Sequence, residues 1–163
     1  LSNAYMNLNR TADAVEAAAG AIVSWGPRHN NRQYAIQNLR NVLQRSPDID
    51  AYVAPFNKQV EESGLENPIV RKALGQVYIS KRQYVKAITQ FRLAIDIQPN
   101  DTETHKALVK AYDSLGDPSG ALRQLIASVQ LSRRDISLFR DLGDRFKTVE
   151  SLGEAERAYT NIV

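Results

Sequence analysis

Apolar residues recur along this chain at three- and four-residue spacing, and the blocks they form return every 34 residues. Between Tyr84 and Ile97, Ala87, Ile88, Phe91, Ala94 and Ile95 share one face of a helical wheel. Before them, Leu74, Gly75 and Tyr78 do the same, with Val70 and Val77 beside them. Leu74, Leu108 and Leu142 stand 34 residues apart, as do Tyr78, Tyr112 and Phe146. So do Ala87, Ala121 and Ala155, and Phe91, Leu125 and Tyr159. Self-similarity at this period predicts stacked helix–turn–helix units that bury their apolar faces against their neighbours. The nearest approach to a strand, Ala51-Tyr52-Val53, is too short to pair.

Turn chemistry divides the pattern into elements. Asn67-Pro68 offers a capping side chain and then a proline at the first helical position, where a missing N–H does no harm. Arg82-Gln83 separates that helix from a second over about 84–97, and Pro99-Asn100-Asp101 ends the second and caps the next. Gly116-Asp117-Pro118 divides a helix over about 102–114 from one reaching about Leu131. Another unit begins after Asp135, and its second helix opens at Ser151, with Glu154 at capping-box spacing. The front of the chain is less regular. Leu1, Tyr5, Ala14 and Ala21 fit a partial unit over 1–27. Two helical stretches, about 31–45 and 49–63, make an out-of-register hairpin within 28–67. Pro55 predicts a kink or a late start in the second stretch. The expected division is therefore 1–27, 28–67, 68–101, 102–135 and a truncated 136–163, in one continuous solenoid excerpted from a longer protein.

The segment PIVRKALGQVYISKRQYVKAITQFRLAIDIQP, with Leu74, Gly75, Tyr78, Ala87, Phe91, Ala94 and Pro99 in place, resembles a tetratricopeptide repeat. It departs at the initial aromatic, where Arg71 stands. The next unit keeps Leu108, Tyr112, Gly116, Ala121 and Leu125 but has Val109 where the family favours a small residue, and a local splay is expected there. The third keeps Phe139, Leu142, Gly143, Phe146, Ala155 and Tyr159. The resemblance implies an all-α fold, a right-handed superhelix of antiparallel helix hairpins whose first helices line a concave groove. It also implies a non-enzymatic scaffold that holds a peptide or partner segment.

Two residues before each repeated leucine stand Lys72, Lys106 and Arg140, a basic ladder at the same step. With Gln76, Lys110 and Lys147 they are the candidate groove residues, suited to a protein or peptide partner with an acidic segment. Glu103, Asp113, Asp141 and Asp144 stand near enough to neutralise part of the ladder. The carboxylate clamp with which some family members hold chaperone tails would fall on Lys72, Gln76, Ala107, Ser137 and Asp141. Only Lys72 suits it, so that ligand is not expected.

Composition narrows the rest. The 163 residues carry 21 basic and 18 acidic side chains, a net charge of +3, mostly interleaved. This suits a solvated helical surface better than a phosphate-binding stripe. An RNA-reading helical repeat is the weaker alternative, since no polar pair recurs that could read bases. With no cysteine, thiol catalysis and cysteine-ligated zinc are excluded. His29 and His105 have no metal-ligand spacing, and His105 is expected to be solvated or to touch a peptide. No catalytic, cofactor or metal site is expected. No run of 18 apolar residues predicts membrane insertion, and nothing fixes the compartment. The second function considered is structural, a spacer or a segment that self-associates through uncapped solenoid ends.

Overall fold

Helix boundaries follow the turn residues. In the computed structural model, residues 13, 32–46, 48–51, 53–54, 57 and 67–148 are described. Among them six helices are formed and no strand: α1 (Arg32–Arg45), α2 (Pro68–Ser80), α3 (Tyr84–Ile97), α4 (Thr102–Leu115), α5 (Pro118–Leu131) and α6 (Ile136–Thr148). The regular structure of the described residues is all α-helix, as the 3.6-residue periodicity predicts. Apart from residue 13, the partial unit over 1–27 lies outside the described residues, as do the kink at Pro55 and the helix opening at Ser151.

Side-chain caps start α2, α5 and α6, whereas Asp101, expected to cap α4, makes no side-chain capping bond to it. Asn67 adopts extended backbone and its side chain accepts from Ile69 N at 3.0 Å, with Pro68 opening α2. Asp117 accepts from Gly120 N at 2.8 Å ahead of Pro118. Asp135 accepts from Ser137 N at 3.1 Å. Asp48 accepts from Asp50 N at 3.0 Å and Ala51 N at 3.3 Å, starting the stretch after α1. These bonds satisfy N–H groups that a helix leaves without partners in its first turn. At the C-termini, Gly116 takes the left-handed conformation (φ 81°) and its N–H bonds back to Asp113 O. Arg82 holds the equivalent place, one 34-residue step earlier, also left-handed at φ 59°.

The chain divides into two units, Leu1–Gln83 and Tyr84–Val163. In the first, α1 packs on α2. Ile36, Leu39 and Leu43 are the buried stripe of α1, and Val70, Ala73, Leu74 and Val77 that of α2. In the second, α3 packs on α4, α4 on α5 and α5 on α6. The short connections at 98–101, 116–117 and 132–135 make these neighbours antiparallel. Val109, Ala121, Leu125, Val129, Leu138 and Leu142 form its core, with Tyr112, Phe139 and Phe146 packed against them. Val109, where a splay is expected, is buried within this core, and α4 and α5 make the most extensive helix contact of the unit.

Candidate functional site

The six candidate groove residues have different surroundings. In the second unit, Lys106 is committed internally: its Nζ lies 2.9 Å from Asp135 Oδ2 and 3.3 Å from Glu103 Oε1. The hydrogen bond to Asp135 raises the Lys106 pKa against the opposing effect of burial. Asp135, in turn, is pulled down to about 2, first by the Ser137 hydroxyl and then by Lys106. The expected neutralisation by Glu103 is thus present, and Asp135 adds to it from the cap of α6. Lys110 and Arg140 are exposed. The side chain of Lys147 lies outside the described atoms.

Asp113 and Asp141 face Arg145. Its Nη1 and Nη2 donate to the two carboxylate oxygens of Asp113, each at 2.7 Å, and its Nε donates to Asp141 Oδ1 at 2.9 Å. Asp113 first, then Asp141, hold this guanidinium still more firmly protonated than usual. Arg145 and Lys106 therefore tie α4 to the start and the middle of α6 by side chains alone.

In the first unit, Lys72 is half-buried and Gln76 is exposed on α2. Gln76 Oε1 accepts from Arg40 Nη1 of α1 at 2.8 Å. Arg40 escapes sequence reasoning because α1 is out of the 34-residue register. No repeated landmark aligns it with α2. Residues that follow α1 are tied to α2 and its C-terminal end at three points. Tyr78 Oη donates to Asp50 Oδ1 at 3.0 Å, Lys81 Nζ to Ser46 O at 2.9 Å, and Arg71 Nη1 to Asn57 Oδ1 at 2.6 Å. Burial, followed by the Asp50 hydrogen bond, pushes the Tyr78 hydroxyl pKa up.

His105 differs from its expectation. It is not solvated but buried, at 7% exposure. Its Nε2 lies 2.9 Å from Pro99 O and its Nδ1 3.0 Å from Gln124 Oε1. Both ring nitrogens are spent inside the second unit, so this histidine is part of the packing. Among the described residues no group of histidine and carboxylate side chains is arranged to hold a metal ion, and no helix is long and apolar enough to cross a membrane.

Residues 73–101 match the family model of the tetratricopeptide repeat. That segment is similar to a tetratricopeptide repeat. It covers most of α2 and all of α3, and it contains the landmarks Leu74, Gly75, Tyr78, Ala87, Phe91, Ala94 and Pro99. No curated protein and no solved structure matches the chain significantly. Tetratricopeptide repeats are, as a family, protein-interaction scaffolds and typically non-enzymatic.

Proposed function

We propose that this chain is a non-enzymatic scaffold that holds a peptide or a segment of a partner protein, on the exposed face of α2 in the first unit or on those of α4 and α6 in the second. The similarity to a tetratricopeptide repeat at 73–101 carries the reading. The faces themselves support it. Gln76 on α2, Lys110 on α4 and Arg140 on α6 reach solvent, while the apolar residues beside them are buried. Lys106 contributes least, because a ligand carboxylate at its ammonium would have to displace Asp135 and Glu103. Gln76, Lys110 and Arg140 are accordingly the residues expected to meet the partner, with Lys72 of the first unit and Lys147 of the second as further candidates.

A peptide-array selection against the intact chain tests this, followed by titration of the selected peptides. The expected outcome is a bound set whose affinity falls with Lys110→Glu and Arg140→Glu. Selected peptides indifferent to both substitutions and to Gln76→Ala would remove the first-helix faces from the reading.

A further inference from the structure

Ion pairs tie α4 to α6 toward either end of α4, and one cation between them takes part in neither. Lys106 Nζ lies 2.9 Å from Asp135 Oδ2, at the start of α6. Arg145 of α6 holds both oxygens of Asp113, each at 2.7 Å, and Asp141 Oδ1 at 2.9 Å. Lys110 follows Lys106 by four residues and precedes Asp113 by three, so the three share one stripe of α4. Lys110 is exposed, and it forms no ion pair among the described residues.

Spacing alone predicts otherwise. A lysine and an aspartate three residues apart on a helix are surface neighbours. On this same helix Lys106 does reach Glu103 at that spacing, 3.3 Å away. What parts Lys110 from Asp113 is Arg145. A guanidinium offers parallel N–H groups that match both oxygens of a carboxylate, which one flexible ammonium cannot do. The fork turns the Asp113 carboxylate toward α6 and neutralises it. Through Nε the same guanidinium engages Asp141 as well. Lys106 and Arg145 thus take the anions on either side, and Lys110 is left facing solvent.

We propose that Arg145 is a positioning residue that keeps Lys110 open, and that Lys110 receives an acidic side chain of a partner polypeptide. This rests on the reading of the chain as a peptide-binding scaffold, and it adds how the site is kept available and what it takes. The surroundings set the charge pattern of the guest. Glu103 and Asp113 are exposed on α4 with Lys110, and Asp144 is exposed on α6. These carboxylates oppose a guest charged at every residue, such as an acidic run or a nucleic acid strand. They admit isolated carboxylates set among uncharged residues.

The probe is a fluorophore-labelled peptide of repeated Glu-Ser-Gly triplets, titrated by anisotropy into the intact chain. Lys110→Gln should weaken binding about three- to tenfold, the scale of one exposed charge-assisted contact. Arg145→Gln should weaken it about two- to threefold, because the released Asp113 competes for Lys110 only as a weak surface pair. Adding Asp113→Asn to Arg145→Gln should restore the native affinity, although the tie between α4 and α6 is still missing. A merely structural role for Arg145 gives no such rescue. Arg123→Gln, exposed on α5, removes the same charge and should leave binding unchanged. Reductive methylation of Lys110, read by mass spectrometry, reports its availability without any peptide. Its rate should fall in Arg145→Gln and recover in the double variant. Circular dichroism establishes that each variant is folded. Unchanged affinity in folded Lys110→Gln overturns the proposal. A loss in Arg145→Gln that Asp113→Asn does not rescue overturns the positioning role. Loss in Arg140→Gln with none in Lys110→Gln overturns the proposal while keeping the scaffold reading. Absence of binding to the triplet peptide overturns the acidic guest and leaves the scaffold to its own peptide-array test. Tighter, Lys110-dependent binding of a single-stranded oligouridylate would replace the polypeptide by RNA.

Discussion

Arg71 and His105 are buried at the position that the 34-residue step equates with Phe139. A polar group in such a place is costly unless its donors and acceptors are met. Arg71 meets Asn57, and His105 meets Pro99 O and Gln124. A carbonyl only accepts, so His105 Nε2 carries the proton toward Pro99. The family pattern makes Arg71 legible as a departure, but its partner is not legible, because Asn57 lies in the off-register stretch. Glycines are easier to read. A Cβ on Gly120 would stand 2.5 Å from both the Tyr112 ring and the Asp117 carboxylate. Gly120→Ala should therefore cost about 1–3 kcal/mol by overpacking, despite the better helix propensity of alanine. Arg82 offers the opposite case. Its left-handed backbone strains a side chain with a Cβ, and Arg82→Gly should stabilise the protein by about 0.5–1 kcal/mol after the entropic penalty of glycine. Chemical denaturation of both variants checks the two signs, and a stabilised Gly120→Ala would refute the close approach.

At the scale of elements, apolar spacing decides what packs and side-chain charge decides how the helix ends are tied. Ala121 is fully buried against Leu125 and Val129, and Ala87 is fully buried on α3. Ala121→Glu should unfold the second unit cooperatively, because a carboxylate there has no partner and no room. A thermal melt as steep and as high as that of the native chain would refute this. These alanines were legible from the repeat. The Lys106–Asp135 tie was not, since a ladder of cations reads as a surface until the cap of the next repeat is seen beside it. Asp135 supplies a pH signature. Its carboxyl titrates at about 2 in the fold against an ordinary 3.8, so the folded state favours the ionised form. That contribution is present above 3.8 and is lost as pH falls through about 2. Asp135→Asn should flatten the dependence of stability on pH across this window, and the effect should be small, since the group is exposed. An acid limb as steep in Asp135→Asn as in the native chain would show that other carboxylates carry it.

For the whole molecule, the net charge of +3 conceals two arrangements: a first unit whose helices α1 and α2 carry only basic charge, and a second in which Lys106 and Arg145 pair with its own anions. The sum of charges along the chain cannot reveal this, because residues distant in sequence decide which charges face each other. Salt separates the two consequences. Solvent-reached ion pairs such as the half-buried Lys106–Asp135 contribute little to stability and are partly screened over about 8–10 Å at moderate ionic strength. The apolar cores that hold both units are indifferent to screening. Raising sodium chloride from about 0.05 to 0.5 M should therefore move the Tm by no more than a few degrees. The attraction of an acidic peptide to exposed cations such as Lys110 and Arg140 is screened directly. The same change in salt should weaken binding of an acidic peptide by about tenfold or more, mostly through the association rate. Calorimetry and stopped-flow fluorescence on one preparation measure both. A large drop in Tm with unchanged binding would mean that the ion pairs hold the fold together and the exposed cations meet no acidic guest.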